Sequence, residues 1–282
     1  MTTPVPPTPD APAPATPAGP GGGAAPNPSA TRSAAATLLI LGLTFLILWV
    51  GWTMAPGWNF LVVLALLAVS LFVLGMTVVG RPLGVLINEQ NLASLARFQM
   101  VVWTVVVLAA YFTYALARMK AGTADPLNVT IDWHLWALMG MSTTSLVGTS
   151  LIHTVKQGQE PDPAVTASTA AKFGQSFAAV ESDRAGLLYA NPGKNDARFT
   201  DLFQGDEVGD TAHIDMVKVQ MFYFTIISVL AFVVMVTQSL RQGPLDEMPR
   251  LPDGLIAILG ISHAGYLTGK SVTKTPLQQP NS

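Results

Sequence analysis

Cysteine is absent from the 282 residues, and charge is scarce. Without a thiol there is no disulfide framework, no thiolate zinc site, no iron–sulfur cluster and no cysteine nucleophile. Asp, Glu, Lys and Arg make up 11% of the chain, against roughly 25% in soluble domains. None of the 48 residues between Arg32 and Arg81 is charged. A bilayer core takes about 20 apolar residues per helix, so that stretch holds two spans and a turn. A net charge of −2 leaves no basic surplus for nucleic-acid phosphates, and no nucleic-acid partner is expected. The short signatures of phosphate-binding loops, serine hydrolases and zinc proteases are missing as well. No catalytic residue, metal or cofactor is therefore expected. The acidic run from Asp201 to Asp215 lacks calcium-loop spacing and reads as a solvated loop.

What is present is apolar: half the residues are hydrophobic. Ten of the 21 prolines fall within residues 1–30, and residues 1–33 read as a disordered Pro/Ala/Gly-rich tail. The first apolar stretch begins late and has span length, which fits a retained anchor rather than a cleaved leader.

Six spans are expected, about 35–54, 59–79, 98–117, 133–155, 219–240 and 254–269. Ala55-Pro56-Gly57 supplies a turn between the first two, and Trp52 and Trp58 sit where interfacial aromatics belong. The sixth has 16 uncharged residues, short for a crossing. It is completed by Lys270 reaching the interface, or it is re-entrant. With the N-terminus inside, 11 Lys and Arg lie inside and 4 outside. The positive-inside rule then places both termini in the cytoplasm of a plasma (inner) membrane.

The expected organisation is a first hairpin at 34–80, a second at 94–155, a cytoplasmic acidic connection at 156–216, a third hairpin at 217–270 and a cytoplasmic tail at 271–282. Within the connection, 157–169 reads as linker and 170–188 as a helix along the membrane surface.

The second and third hairpins match one another. Arg97-Phe98-Gln99-Met100 through Thr104 recurs as Lys218-Val219-Gln220-Met221 through Thr225, at an offset of 121. Leu135 through Ser142 recurs as Leu255 through Ser262 at an offset of 120, with Gly140 on Gly260. Ser94 and Asp215, both good N-cap residues, also correspond. Units with an even number of spans keep the same orientation, so this is a parallel repeat. The expected fold is all-α: a polytopic membrane bundle of about six transmembrane helices with a duplicated two-helix hairpin.

The segments Ser94 to Gln99, Asp206 to Gly209, Lys218 to Thr225 and Gly260 to Leu267 resemble segments of bacterial multi-span membrane proteins of no established activity. The resemblance covers roughly Arg81 to Lys270 and implies a membrane bundle. It carries no functional residues with it.

Several polar residues fall within the spans. Gln99 and Gln220 sit one turn inside the cytoplasmic interface, where a side-chain amide needs partners. They either tie helices together or, with Arg97 and Lys218, form a vestibule for an anion or lipid headgroup. Ser142, Thr144 and Ser262 lie at small-residue positions, suited to close helix packing or to a hydroxyl-lined path. His263, which stands where the other copy has Thr143, is an ionisable group at depth and a functional candidate. His134 and His153 lie near the ends of their span.

Three functions remain: a non-enzymatic scaffold or interaction module, a small channel or passive pathway lined by these polar residues, and an enzyme. No Asp or Glu falls within a span, which disfavours the enzyme. The expected partners are the bilayer, a second copy of the chain, and a cytoplasmic protein docking on 157–216.

Overall fold

Five short polar side chains start five helices. Ser94, Asp132, Asp162, Ser176 and Asp215 each accept a hydrogen bond from a backbone N–H in the first turn that follows, satisfying donors that a helix leaves unpaired. The structure, a computed structural model, describes residues 28–279, with side chains from Ala34. Its helices are α1 (Pro28–Thr53), α2 (Trp58–Val78), α3 (Leu95–Lys120), α4 (Trp133–Gln157), α5 (Pro163–Phe173), α6 (Phe177–Asp183), α7 (Met216–Gln242) and α8 (Asp253–Ser271). The described residues form no extended strand, only isolated bridges. The fold is all-α.

Helices α2, α3, α4 and α7, together with Ala34–Thr53 of α1, are long and apolar enough to cross a membrane. Leu38, Phe45, Phe72, Val78, Leu151 and Ile261 are among many large apolar side chains left exposed, on a scale that soluble proteins avoid. The chain is thus compatible with an integral membrane protein. The tail expected over residues 1–33 falls outside the described residues up to 27, while residues 28–33 already belong to α1.

The turn between α1 and α2 makes the two antiparallel. Lys120 at the end of α3 lies 5.6 Å from the Trp52 ring centre, and the Arg241 guanidinium of α7 lies 5.2 Å from that of Trp58. The Arg118 guanidinium pairs with Asp246 and donates to the Asp125 carbonyl at 2.9 Å. These contacts gather the α1–α2, α3–α4 and α7–α8 connections at one end of the bundle. In the interior α3 and α7 run parallel, with Phe98 against Phe222 at 5.3 Å and Trp103 against Phe232 at 6.4 Å. α4 and α8 are parallel too: His134 meets Asp253 at one end and Lys156 meets the Val272 carbonyl at the other. Helix α3 is the most enclosed, and its Trp103, Val106, Ala109, Ala110 and Tyr114 are buried in the main apolar core.

At the opposite end, residues 158–215 do not trail as a linker. Asp162 and Pro163 start α5, and Gly174 in left-handed conformation ends it. α5 and α6 fold over a small core of Leu92, Ala170, Val180, Tyr189 and Val208. The last residues join this cap. Asp162 donates its N–H to the Pro276 carbonyl at 2.9 Å, and Gln278 donates to that of Glu160 at 3.0 Å. A clasp of Asn91 and Asn191, each amide donating to the other's carbonyl at 3.0 Å, secures the α2–α3 connection to the same cap. Gly186 lies against the end of α4 with φ +59°; a Cβ there would stand 2.4 Å from the Gln157 carbonyl oxygen.

Candidate functional site

The acids between Asp201 and Asp215, expected to be a solvated loop, are instead folded against the ends of the long helices. Glu207 is 1% exposed. Its carboxylate accepts from Lys156 Nζ of α4 at 2.5 Å, from the Thr275 N–H at 2.6 Å and from the Lys274 N–H at 2.9 Å. Asp206 lies 2.8 Å from Lys218 Nζ in the first turn of α7 and 2.6 Å from Lys270 Nζ in the last turn of α8. His153 of α4 approaches the same carboxylate at 3.9 Å. Asp215, the α7 cap, and Asp210 each stand 3.1 Å from Lys274 Nζ. Asp201 is buried, with Oδ2 accepting from the N–H groups of Ala93 and Arg198 at 3.2 and 2.8 Å. This placement has a simple cause. A lysine at the end of an apolar helix is costly to bury alone, and the acidic run supplies the counter-charge.

The electrostatics follow from this packing. Burial by itself pushes a carboxyl's pKa upward. At Asp206 the ammonium groups of Lys218 and Lys270 overcome it and hold the carboxyl well below its usual range. At Glu207 the hydrogen bonds from Lys156, Thr275 and Lys274 outweigh burial and lower it. Asp201 and Asp210 stay raised, because burial there outweighs their hydrogen bonds and, at Asp210, the Lys274 charge.

Above this collar a polar seam runs between the parallel helix pairs. Gln99 is fully buried and donates through Nε2 to Thr225 Oγ1 at 2.7 Å. Thr225 in turn donates to the Met221 carbonyl at 2.8 Å. His263 Nδ1 lies 2.6 Å from Ser145 Oγ, and Thr149 Oγ1 lies 3.4 Å from the Tyr266 hydroxyl. Ser142 and Ser262 are buried, and their hydroxyls have no partner, nor has Gln99 Oε1.

The eight residues singled out from the sequence thus separate. Gln99, Ser142, Ser262 and His263 join the seam. Lys218 joins the collar, its ammonium donating to the Gln204 carbonyl as well as to Asp206. Gln220 and Thr144 are exposed on the outer surface of their helices, so neither lines an interior site. Arg97 pairs with Glu89. Arg97 and Lys218 are both neutralised and do not form the joint anion vestibule expected of them. The collar residues Asp206, Glu207, Lys156, Lys270 and Lys274 were missed. Their signal in the sequence is a run of acids facing single lysines at the ends of three apolar helices.

Compared with protein-family models, with curated proteins and with solved structures, the chain matches none. Neither chemistry nor likeness therefore assigns an activity, and the geometry of seam and collar carries the functional reading.

Proposed function

We propose that this is a multi-pass plasma-membrane protein with both termini in the cytoplasm. It acts as a non-enzymatic scaffold that holds the cap, residues 157–216, as a rigid docking platform. One observation carries the reading: Asp206 and Glu207 fasten the cap to the ends of α4, α7 and α8 at once. A segment held by buried charges at three helix ends keeps a fixed position relative to the bilayer, as a platform for a partner requires.

Two structural readings accompany this. α8 counts as a sixth span: its 19 residues rise about 28 Å, near the roughly 30 Å of a hydrocarbon core, and it accompanies α4 unbroken. α3–α4 and α7–α8 are copies of one hairpin. The caps Ser94 and Asp215 at an offset of 121, and the parallel pairing of α3 with α7 and α4 with α8, support this.

A passive pathway is the second reading. It is favoured by the partnerless hydroxyls of Ser142 and Ser262 and the free oxygen of Gln99, since buried polar atoms of this kind call for water. Reconstitution in liposomes separates the two. The scaffold predicts no ion or small-solute flux, together with a partner cross-linked to the cap in native membranes and lost on substituting the exposed Phe177. Flux abolished by His263→Leu overturns it.

A further inference from the structure

A cavity of about 340 Å³ opens between α2 and α3 near the capped end. Leu64 and Leu71 of α2 and Val101 and Val105 of α3 form its walls, Pro82 and Leu83 form its floor, and every lining residue is apolar. Along α3 it extends from Phe98 to Val106, a rise of about 12 Å, most of one bilayer leaflet at half of roughly 30 Å. Pro82 and Leu83 also border a smaller cavity of about 70 Å³ that holds Arg81, Arg198 and Phe199. Lys194 brings its ammonium against Gly80, 3.9 Å from where a Cβ would stand.

These three cations differ from the lysines of the collar and from Arg97. Lys156, Lys218, Lys270 and Lys274 are consumed by carboxylates, and Arg97 by Glu89. Arg81 gives one hydrogen bond to the Ala197 carbonyl at 3.3 Å, and among the described residues no carboxylate stands at ion-pair distance from Arg81, Lys194 or Arg198. Asp201, the acid that acts on Arg198, is buried and engaged by backbone N–H groups. Leu83 and Phe199, each 46% exposed, stand beside the cations where apolar and polar surroundings meet. An apolar trough one leaflet deep, ending in positive charge that no ion pair holds, has the shape and polarity of a single amphiphile.

We propose that this trough and cation cluster bind one anionic glycerophospholipid. An acyl chain lies along α2 and α3, and the phosphate is held by Arg81, Lys194 and Arg198. The inference rests on the multi-span reading. It requires the cations on the leaflet side where anionic headgroups gather, and basic sites between helices on that side are suited to such headgroups.

The test uses the full chain in detergent, by native mass spectrometry with added phosphatidylglycerol or phosphatidylcholine. Wild-type protein is expected to retain phosphatidylglycerol preferentially. At roughly a fivefold step per cation, the triple variant Arg81→Gln, Lys194→Gln, Arg198→Gln loses on the order of 100-fold in that affinity, with its helix content unchanged. Ala68→Phe, which fills the trough from an exposed position, should reduce retention of both lipids. Equal retention of the two lipids by the wild type overturns the proposal, as does a triple variant that binds normally. Glycerophosphate competing as well as the lipid would overturn the role of the trough. Failure of the multi-span reading is separately visible, as protein that stays monodisperse once detergent is removed.

Discussion

The ammonium of Lys156, in the last turn of α4, stands 2.5 Å from Glu207 Oε1, and the two side chains are 6% and 2% exposed. Lys156 also donates to the Val272 carbonyl just beyond α8. A single buried pair thus joins α4, the cap and the residues that follow α8. Removing one member leaves the other charged and enclosed, which costs about 3–5 kcal/mol at such sites. Glu207→Ala is expected to lower the melting temperature in detergent sharply. Replacing both partners, with Lys156→Met added, should recover part of the loss. A single variant that melts like wild type would show that the pair does not hold the cap.

The collar also sets a response to acid. Asp206 and Glu207 titrate below their ordinary values in the folded chain. Their stabilisation is therefore complete above the unfolded carboxylate values of about 4 and is lost as pH falls through the folded ones. Asp201 and Asp210, raised by burial, have the opposite sign, since the folded chain takes up their protons more readily. The melting temperature should hold or rise slightly as pH drops toward about 4, then fall. In Asp206→Asn, Glu207→Gln the fall should flatten; an unchanged acid limb would place its origin elsewhere.

Gly186 and Gly140 offer a matched comparison. Gly186 has φ +59° and no room for a Cβ beside the carbonyls that end α4, whereas Gly140 has nothing within 4 Å of the same position. Gly186→Ala should destabilise by about 1–2 kcal/mol from the backbone conformation alone, and further from the clash. Gly140→Ala, in mid-helix, should be neutral or stabilising by about 0.5–1 kcal/mol. Thermal unfolding of the two variants side by side checks this; equal melting points would remove the assigned role of Gly186.

Gln99 and Gln220 should behave unequally despite their matched positions. Gln99→Leu breaks the bond to Thr225, a loss of about 0.6–2 kcal/mol for an interhelical hydrogen bond in apolar surroundings. Gln220→Leu, on an exposed face, should leave stability unchanged. Unfolding measured in bicelles distinguishes them, and equal effects would contradict the burial assigned to the two residues.

Why the pair separates shows what the sequence could and could not convey. The buried stripe of α3 passes through Ala96, Gln99, Trp103 and Val106, while that of α7 passes through Lys218, Met221, Thr225 and Ser228. At an offset of 121 these stripes are displaced by one residue, about 100° of helix, so equivalent positions face different surroundings. Periodicity along one chain cannot report that rotation. Helix positions were legible because charge stops at their borders: Arg97 and Arg118 bracket the apolar part of α3, and Asp132 and Lys156 bracket that of α4. Trp52 and Trp58 were legible as end markers, and each lies under a cation from another helix. The acids of the cap were visible but misread, since their partners Lys218, Lys270 and Lys274 follow later in the chain. Counting acids within a loop says nothing of lysines that tertiary packing brings to them.

The collar's wiring has a consequence for how the protein is made. Glu207 leaves the ribosome after its partner Lys156, whereas Asp206 gains Lys218 next and Lys270 only once α8 has been made, and Asp210 and Asp215 meet Lys274 last of all. A chain stalled or truncated before α8 keeps Asp206 without Lys270, and Asp210 and Asp215 without Lys274. Completion of synthesis is thereby written into charge neutrality, and the unfinished product is marked by the very residues that lock the finished one.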